Sequence, residues 1–346
     1  MKPLINPIFQ TSNFEIKDDR VWSYSRSANP TRTQLESELA RLENAKHGMA
    51  FATGLAAVDA VMRLFEAGDE ILCYQDLYGG SYRLFEKVHT DKVFKYFGGK
   101  YPLSKEEEPS QYSFITEKCK AVYIETPTNP TLQTVDIRRM AEIAKKRGIL
   151  LIVDNTIATP YYQNPLDLGA DIVIHSVSKY INGHGDVVMG AVCLNNDEIY
   201  DKLSFIQRMA GAIPGPQDCW LVSRGLKTLQ VRMDRITETS RQMAEFLSKH
   251  PKVASVSYPG FSGVISISLK ENTEKEALRV CNATKTFTFA VSLGGCSSLI
   301  THCATTNNVI MDRETRLKIG VTDSLLRLSI GLEGPQELIN DLNQAL

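Results

Sequence analysis

Short apolar runs alternate with amphipathic stretches over the first two thirds of the chain. The runs have the length and character of buried strands and lie at 70–74, 121–126, 149–154, 171–176 and 190–195. Apolar residues at helical spacing predict helices over 33–42, 54–68 and 136–148, the first with Thr31 or Thr33 as its cap. The alternation predicts an α/β fold with a mainly parallel sheet covered on both faces, where ligands bind at the carboxyl ends of the strands.

The pattern changes after residue 228. A long helical repeat over 232–250 is followed by a turn at 258–263 and an apolar strand at 264–269. We therefore predict a smaller C-terminal α+β domain over 225–346, a larger domain over 24–224 and an N-terminal arm over 1–23. The charged stretch at 105–111 is interpreted as a solvated loop.

The composition is that of a soluble globular protein. Of the 346 residues 43% are apolar and 23% charged, and the net charge of −1 favours neither nucleic acid nor an anionic membrane as a partner. No stretch reaches the ~20 apolar residues that a spanning helix needs, and residues 1–10 do not resemble an export signal, so we expect a cytoplasmic location. The seven cysteines, scattered from Cys73 to Cys303, form no CxxC pair, so we expect reduced thiols and no metal site.

Candidate chemistry lies at the ends of the predicted strands. Two kinds of nucleotide-binding protein are disfavoured. A dehydrogenase is disfavoured because no GxGxxG follows a strand, and a nucleotide-triphosphatase because Gly99-Lys100 lacks the other residues of a phosphate loop. Thr126, Asp154 and Ser176 end predicted strands, and a lysine follows shortly after the last of them in HSVSKYINGHGD. Taken alone, a lysine beside a glycine-rich loop is more often a surface residue.

Ordered motifs change the interpretation of that lysine. HSVSKYINGHGDVVMG resembles the Schiff-base segment of the Cys/Met-metabolism enzymes that use pyridoxal 5′-phosphate (PLP), the cystathionine γ-synthase, γ-lyase and β-lyase group. Further matches run in order along nearly the whole chain: YSRSANPTRTQLE, FATGLAAV, DLYGGSYR, ETPTNPT, VDNTIATPY, RGLKTLQVRM and LRLSIGLE. The resemblance implies the type I PLP-dependent, aspartate-aminotransferase-like α/β fold.

The resemblance assigns a role in cofactor binding to each matching residue. Lys179 is implied to link PLP covalently and to act as a base, and Asp154 to keep the ring nitrogen protonated. Tyr78 matches the tyrosine that stacks on the ring and assists proton transfer, and Asn129 the asparagine near the ring's 3′-oxygen. The residues implied to bind the phosphate through main-chain N–H groups and hydroxyls are Gly54, Leu55, Ser176 and Ser178.

Other matching residues are implied to bind the substrate or a second subunit. Arg327 matches the arginine that binds the substrate's α-carboxylate, and we expect Ser298 beside that carboxylate. Tyr24 and Arg26 resemble the pair that reaches a neighbouring subunit's phosphate. The resemblance therefore implies a homodimer with shared active sites, normally paired into a homotetramer.

The sequence departs from the family's pattern at several positions. The arm before Tyr24 is short, and the chain passes from the Tyr258–Gly260 turn directly to a strand, without the polar insertion that the family usually carries. Ser297 stands where cystathionine γ-synthases and γ-lyases usually have glutamate, which argues against strict γ-selectivity. Gly80 replaces the cysteine typical of methionine γ-lyases.

The resemblance implies an enzyme of trans-sulfuration, in cysteine metabolism or methionine biosynthesis. We favour a C–S lyase of the cystathionine β/γ-lyase type, which removes the α-proton and eliminates a thiol. The alternative is γ-replacement by a cystathionine γ-synthase or an O-acylhomoserine sulfhydrylase. A hypothesis from another class is an inactive scaffold that binds PLP without turnover.

Overall fold

The larger of two β-sheets has seven strands and lies in the first two thirds of the chain. The structure is a computed structural model that describes residues 4–16, 22–98, 115–306, 309 and 311–346. The strands, in chain order, are β1 His47–Phe51, β2 Glu70–Tyr74, β3 Val93–Phe97, β4 Cys119–Glu125, β5 Leu150–Asp154, β6 Ile172–Ser176 and β7 Gly190–Leu194. Their order across the sheet is β1-β7-β6-β5-β4-β2-β3.

This sheet is mainly parallel, as predicted. Five neighbouring strands pair in parallel, in the order β3, β2, β4, β5 and β6. The strand β7 pairs antiparallel with β6, and β1 pairs antiparallel with β7. Successive residues of β5 enter different apolar clusters, since Leu151 and Val153 pack on one face and Ile152 on the other. The apolar runs therefore do mark strands buried on both faces.

Helices cover the two faces of this sheet. They are α1 Pro30–Leu42, α2 Gly54–Met62, α3 Gly79–Lys87, α4 Ile137–Arg147, α5 Thr159–Tyr162, α6 Asp197–Ala210 and α7 Pro216–Leu226, with a 3₁₀ turn at Pro165–Leu168. The helix predicted over 54–68 ends earlier, at Met62. The predicted caps of α1 were wrong: Asn29 is the cap, and its side chain accepts the N–H of Thr31 at 2.9 Å, because Pro30 occupies the first helical position.

The rest of the chain forms the smaller α+β unit. It begins with the long helix α8 Leu229–Lys249. Its strands are β8 Val253–Ser257, β9 Val264–Leu269, β10 Thr288–Phe289, β11 Leu299–His302 and β12 Leu326–Ser329, which form a five-stranded sheet in the order β10-β11-β12-β9-β8. The further helices are α9 Glu274–Ala283, α10 Arg313–Lys318 and α11 Pro335–Ala345, with a 3₁₀ turn at Cys303–Thr305. The predicted boundary at 224/225 falls in the last turn of α7 and stays a prediction.

The β8–β9 connection and the start of β9 contact the larger unit. Gly260 and Ser262 both have positive φ angles, +91° and +65°, which close the turn without an insertion. The buried Ser262 hydroxyl donates to the Ile157 carbonyl at 2.8 Å, and Ser266 on β9 donates to the Pro130 carbonyl at 2.6 Å. Both carbonyls belong to loops after β4 and β5, so the smaller unit packs near the carboxyl edge of the large sheet.

Two sequence features lie outside the described residues: the charged stretch at 105–111 and the Gly99-Lys100 pair. Among the helices that the structure describes, none combines the length and apolar character needed to cross a bilayer.

Candidate active site

Two acidic residues end adjacent parallel strands at the carboxyl edge of the large sheet. Glu125 on β4 and Asp154 on β5 are partners in the strand register. The Asp154 carboxylate accepts the Thr156 N–H at 3.0 Å, and burial raises the pKa of Asp154. Burial and the neighbouring Asp154 raise the pKa of Glu125 well above its usual range. The pair therefore resists double ionisation, whereas a cation beside Asp154 would favour its charged form.

Lys179 lies on the loop after β6, and its side chain crosses to the smaller unit. Its Nζ donates to the Ser292 hydroxyl at 2.8 Å. Burial, and then the positive charge of Arg327, lower the pKa of Lys179 to about 8. A lowered pKa gives the amine a larger unprotonated fraction near neutral pH, as a lysine that attacks a carbonyl requires.

Arg327, on β12, is a buried cation that takes part in none of the ion pairs of the described residues, although the Glu125 carboxylate acts on it from a longer distance. Its two terminal nitrogens donate to the Asn129 side chain at 2.8 Å and to the Ser292 carbonyl at 2.7 Å. Its Nε has no hydrogen-bond partner in the described part of the chain, although the side chain is only 2% exposed. Because a buried guanidinium is costly without a counter-charge, this geometry suits an incoming carboxylate.

Tyr78 is the residue immediately before α3 and lies above the acidic pair. Its main-chain N–H donates to the Glu125 carboxylate at 2.8 Å, and its side chain is 41% exposed. A Cβ on Gly80 would lie 2.3 Å from the Tyr78 ring, so the ring rests against the glycine-rich start of the helix. The exposed phenol is therefore available to cover a flat ligand.

The N-terminus of α2 faces the end of β6. The Thr53 side chain accepts the Ala56 N–H at 2.9 Å, which leaves the N–H groups of Gly54 and Leu55 without a partner in the described hydrogen bonds. A Cβ on Gly54 would lie 3.1 Å from the Cβ of Ser176. The absence of a side chain at position 54 thus lets the start of α2 approach the end of β6 closely, and the free N–H groups of this helix start can bind an anion.

Ser178 and Ser298 have hydroxyls that are already hydrogen-bonded. The Ser178 hydroxyl accepts the Met189 N–H at 2.9 Å, and that of Ser298 donates to the Glu333 carboxylate at 2.7 Å. The Gly331 N–H also donates to the Ser298 hydroxyl, at 2.9 Å. The roles predicted for these serines, in phosphate and carboxylate binding, stay predictions.

Tyr24 and Arg26 lie away from the lysine of their own chain. Arg26 donates to the Arg208 carbonyl at 2.7 Å, and its guanidinium carbon is 5.5 Å from the centroid of the Tyr24 ring. None of the described contacts joins either residue to Lys179. Their predicted role in a neighbouring subunit's site stays a prediction.

Arg232, on α8, holds the segment that follows the lysine. It is 4% exposed and donates to the carbonyls of Tyr180 at 2.7 Å and Gly225 at 3.0 Å, and to the Thr228 hydroxyl at 3.1 Å. Gly183 has a φ of +75°, and a Cβ there would lie 1.9 Å from the guanidinium. Arg232 therefore connects the lysine segment to the junction between the two units.

Sequence reasoning missed several of these residues. Glu125 and Arg232 lie within quoted motifs, ETPTNPT and RGLKTLQVRM, but no role was assigned to them, although a charged residue at the end of an apolar strand was a usable signal for Glu125. Ser292 had no such signal, because its contact with Lys179 spans 113 residues. The Thr126 hydroxyl, expected to matter at this edge, instead accepts the Val135 N–H at 2.9 Å and holds a turn.

The described residues contain no group of three or more His, Cys, Asp or Glu side chains that could hold a metal ion. What the site does contain is an amine of lowered pKa, a buried carboxylate at a strand end, an open helix N-terminus and an unpaired buried guanidinium. These groups fit PLP: the amine its aldehyde, the carboxylate its ring nitrogen and the helix its phosphate.

Comparison with known proteins gives the class. Residues 1–346 match the family described as "Cys/Met metabolism PLP-dependent enzyme", and the chain belongs to this family. It is therefore a PLP-dependent enzyme of the trans-sulfuration group with the predicted type I α/β fold.

Three relatives show how far the similarity extends. The chain is 42% identical to a cystathionine gamma-lyase of Bacillus subtilis, over 98% of this chain and 93% of that protein. It is 41% identical to a cystathionine beta-lyase of Coxiella burnetii, over 99% and 93%. A crystal structure of cystathionine gamma synthase from Xanthomonas oryzae pv. oryzae, in complex with aminoacrylate and cysteine, superposes with a TM-score of 0.92 at 37% identity, covering 99% of this chain and 92% of that one.

Proposed function

We propose that this protein is a C–S lyase that acts on cystathionine or a similar sulfur amino acid. The observation that carries the proposal is the connection from Lys179 through Ser292 to Arg327, which sets a weakly basic amine close to an unpaired carboxylate-binding cation. In an α-amino acid, the carboxylate and the α-proton are attached to the same carbon. Binding of the carboxylate to Arg327 would bring the α-carbon near the Lys179 amine.

PLP supplies the electron sink that stabilises the negative charge developed at the α-carbon. With PLP bound, the Asp154 carboxylate would hold the proton on the ring nitrogen, and Lys179 would provide the covalent attachment. The Nζ of Lys179, once it is not attached to the cofactor, would accept the α-proton. Tyr78 would cover the ring and assist proton transfer. A thiol would leave from Cβ or Cγ together with a proton, and water would hydrolyse the unsaturated amino acid that remains to a keto acid and ammonia.

The position of bond cleavage depends on the groups around the substrate's distal end. Ser297 is an exposed, short and neutral side chain, so it provides no charge for the distal ammonium of cystathionine. This supports a lyase without strict γ-selectivity. A γ-replacement reaction is the second candidate, favoured by the close superposition with a cystathionine gamma synthase.

The decisive experiment identifies the keto acid that the purified enzyme releases from cystathionine. Pyruvate indicates β-elimination and 2-oxobutyrate indicates γ-elimination. If neither keto acid is released and the protein forms cystathionine from cysteine and an O-acylhomoserine, the protein is a γ-replacement enzyme and not a lyase. A protein that binds PLP and reduces with borohydride but catalyses none of these reactions would be the inactive scaffold.

We also propose a homodimer with shared active sites, assembled further into a tetramer. Arg26 binds the end of α6, and two apolar side chains of that helix, Phe205 and Met209, are each 58% exposed. Exposed apolar side chains next to a residue expected to reach another subunit support an interface at this surface. All seven cysteines are free thiols, which supports the expected cytoplasmic location.

A further inference from the structure

Glu125 contacts two main-chain groups of the proposed PLP site and neighbours a third residue. Its carboxylate accepts the Tyr78 N–H at 2.8 Å and also bonds the main chain of Asn129, and it is the register partner of Asp154 on the adjacent strand. Paired residues of neighbouring strands lie about 5 Å apart on the same face of a sheet. The carboxylate of Glu125 therefore lies between the residue expected over the face of the ring and the residue expected at its nitrogen.

The surroundings of Glu125 suit a hydrogen-bond acceptor better than a charge. Its side chain is 5% exposed, and burial together with Asp154 raises the pKa of Glu125. A protonated carboxyl group still accepts an N–H through its carbonyl oxygen, so the bond to Tyr78 does not depend on ionisation. Asp154 can then remain the charged member of the pair.

The position of Tyr78 is defined from two sides. Glu125 holds its main chain, and Gly80 leaves the space that its ring occupies, since a Cβ on Gly80 would lie 2.3 Å from the ring. Tyr78 is 41% exposed, so packing encloses its ring only in part. Loss of the bond to Glu125 would leave the main chain of Tyr78 held at its carbonyl alone, which accepts the Tyr82 N–H at 3.1 Å.

We propose that Glu125 is a positioning residue that fixes the main chain of Tyr78 and thereby sets its ring over the cofactor. The inference rests on the proposed role of Tyr78 in the PLP site. It predicts that Glu125 contributes to cofactor affinity through Tyr78 rather than through its second main-chain contact, Asn129, and that it does so as an acceptor and not as a charge.

The test is a double-mutant cycle that measures the dissociation constant of PLP from the cofactor-free protein by absorbance titration. Glu125→Leu removes the acceptor and should weaken PLP binding about tenfold, the usual effect of losing one buried hydrogen bond. Glu125→Gln keeps an acceptor and should stay within about threefold of the wild type. In a Tyr78→Ala background, Glu125→Leu should change the dissociation constant by less than about twofold.

Glu70→Leu serves as the matched control. Glu70 begins β2 at the opposite end of the sheet and pairs with Lys95 at 2.7 Å, so its loss reports the general cost of removing a strand-end acid. It should leave PLP affinity unchanged. Far-UV circular dichroism checks that each variant folds, and Glu125→Ser replaces Glu125→Leu if the leucine variant does not.

Three results would overturn the proposal. Wild-type affinity in Glu125→Leu would show that the contact with Tyr78 does not matter. An equal loss with and without the Tyr78 ring would show that Glu125 acts elsewhere, and an equal loss in Glu125→Gln would show that its charge is needed. If the wild-type protein does not bind PLP, the proposed function is wrong. If it binds PLP but the variants behave as in one of these three results, only the proposed role of Glu125 is wrong.

Discussion

The lowered pKa of Lys179 predicts how fast the cofactor-free protein captures PLP. Burial and the charge of Arg327 place this pKa at about 8, against 10.5 for an ordinary lysine. Only the unprotonated amine attacks an aldehyde, and at pH 7 this form is about one molecule in ten at the lower pKa but about one in 3,000 at the ordinary one. The site therefore offers about 300 times more reactive amine than a surface lysine.

The assay follows the absorbance of the covalent product by stopped flow between pH 6 and 10. The rate constant should rise with pH and level off above a midpoint near 8, because deprotonation of Lys179 is then complete. A lysine amide measured in parallel corrects for the titration of PLP itself.

A substitution tests the cause of this pKa. Arg327→Leu removes the repulsive cation, so the pKa of Lys179 should rise and capture at pH 7 should slow. Arg316→Leu should not move the midpoint, because Arg316 lies on α10 and pairs with Asp323. A wild-type midpoint at or above about 10, or a midpoint that Arg327→Leu leaves in place, would refute the reasoning.

Two further predictions concern the chemistry and the assembly. Asp154→Asn should retain PLP but lose about 10²–10⁴ in kcat, because an amide does not keep the ring nitrogen protonated; turnover within threefold of wild type would exclude that role. Arg26→Ala and Lys179→Ala should each be inactive, and after subunit exchange the mixture should recover activity in about one site in four, since each hybrid dimer has one intact site. Proven exchange without recovery would mean that Arg26 does not act on a neighbouring subunit's site.

Local pattern predicted the elements whose burial is uniform. The runs that became β2, β4, β5 and β6 are continuous in apolar residues because both faces of each strand are covered. The strand β1, His47–Phe51, was missed because only its last three residues are buried. The helices α3, α6 and α7 were not assigned, and their apolar positions depend on tertiary neighbours that no local window contains.

The site shows the same division between local and distant information. Several residues assigned by motif lie at strand ends and helix starts, and the roles that the family resemblance implies for them stay predictions. The contacts that give them their properties are not local: Arg327 meets Asn129 across 198 residues, and Lys179 meets Ser292 across 113. No spacing rule connects such positions, so the lowered pKa of Lys179 could be derived only from the folded chain.

The hydrogen bonds of Arg232 do not depend on pH, whereas the charges of the active-site residues do. The groups that Arg232 binds are three carbonyls and a hydroxyl, and none of these gains or loses a proton between pH 4 and 10. An ion pair at the same junction would weaken as its acid became protonated, and the two units would loosen with it. Here acidification changes the charge on Lys179 and Asp154, whereas the hydrogen bonds from Arg232 to the lysine segment are unchanged. Loss of activity at acid pH should therefore reverse fully on neutralisation, without passing through a separated-domain state.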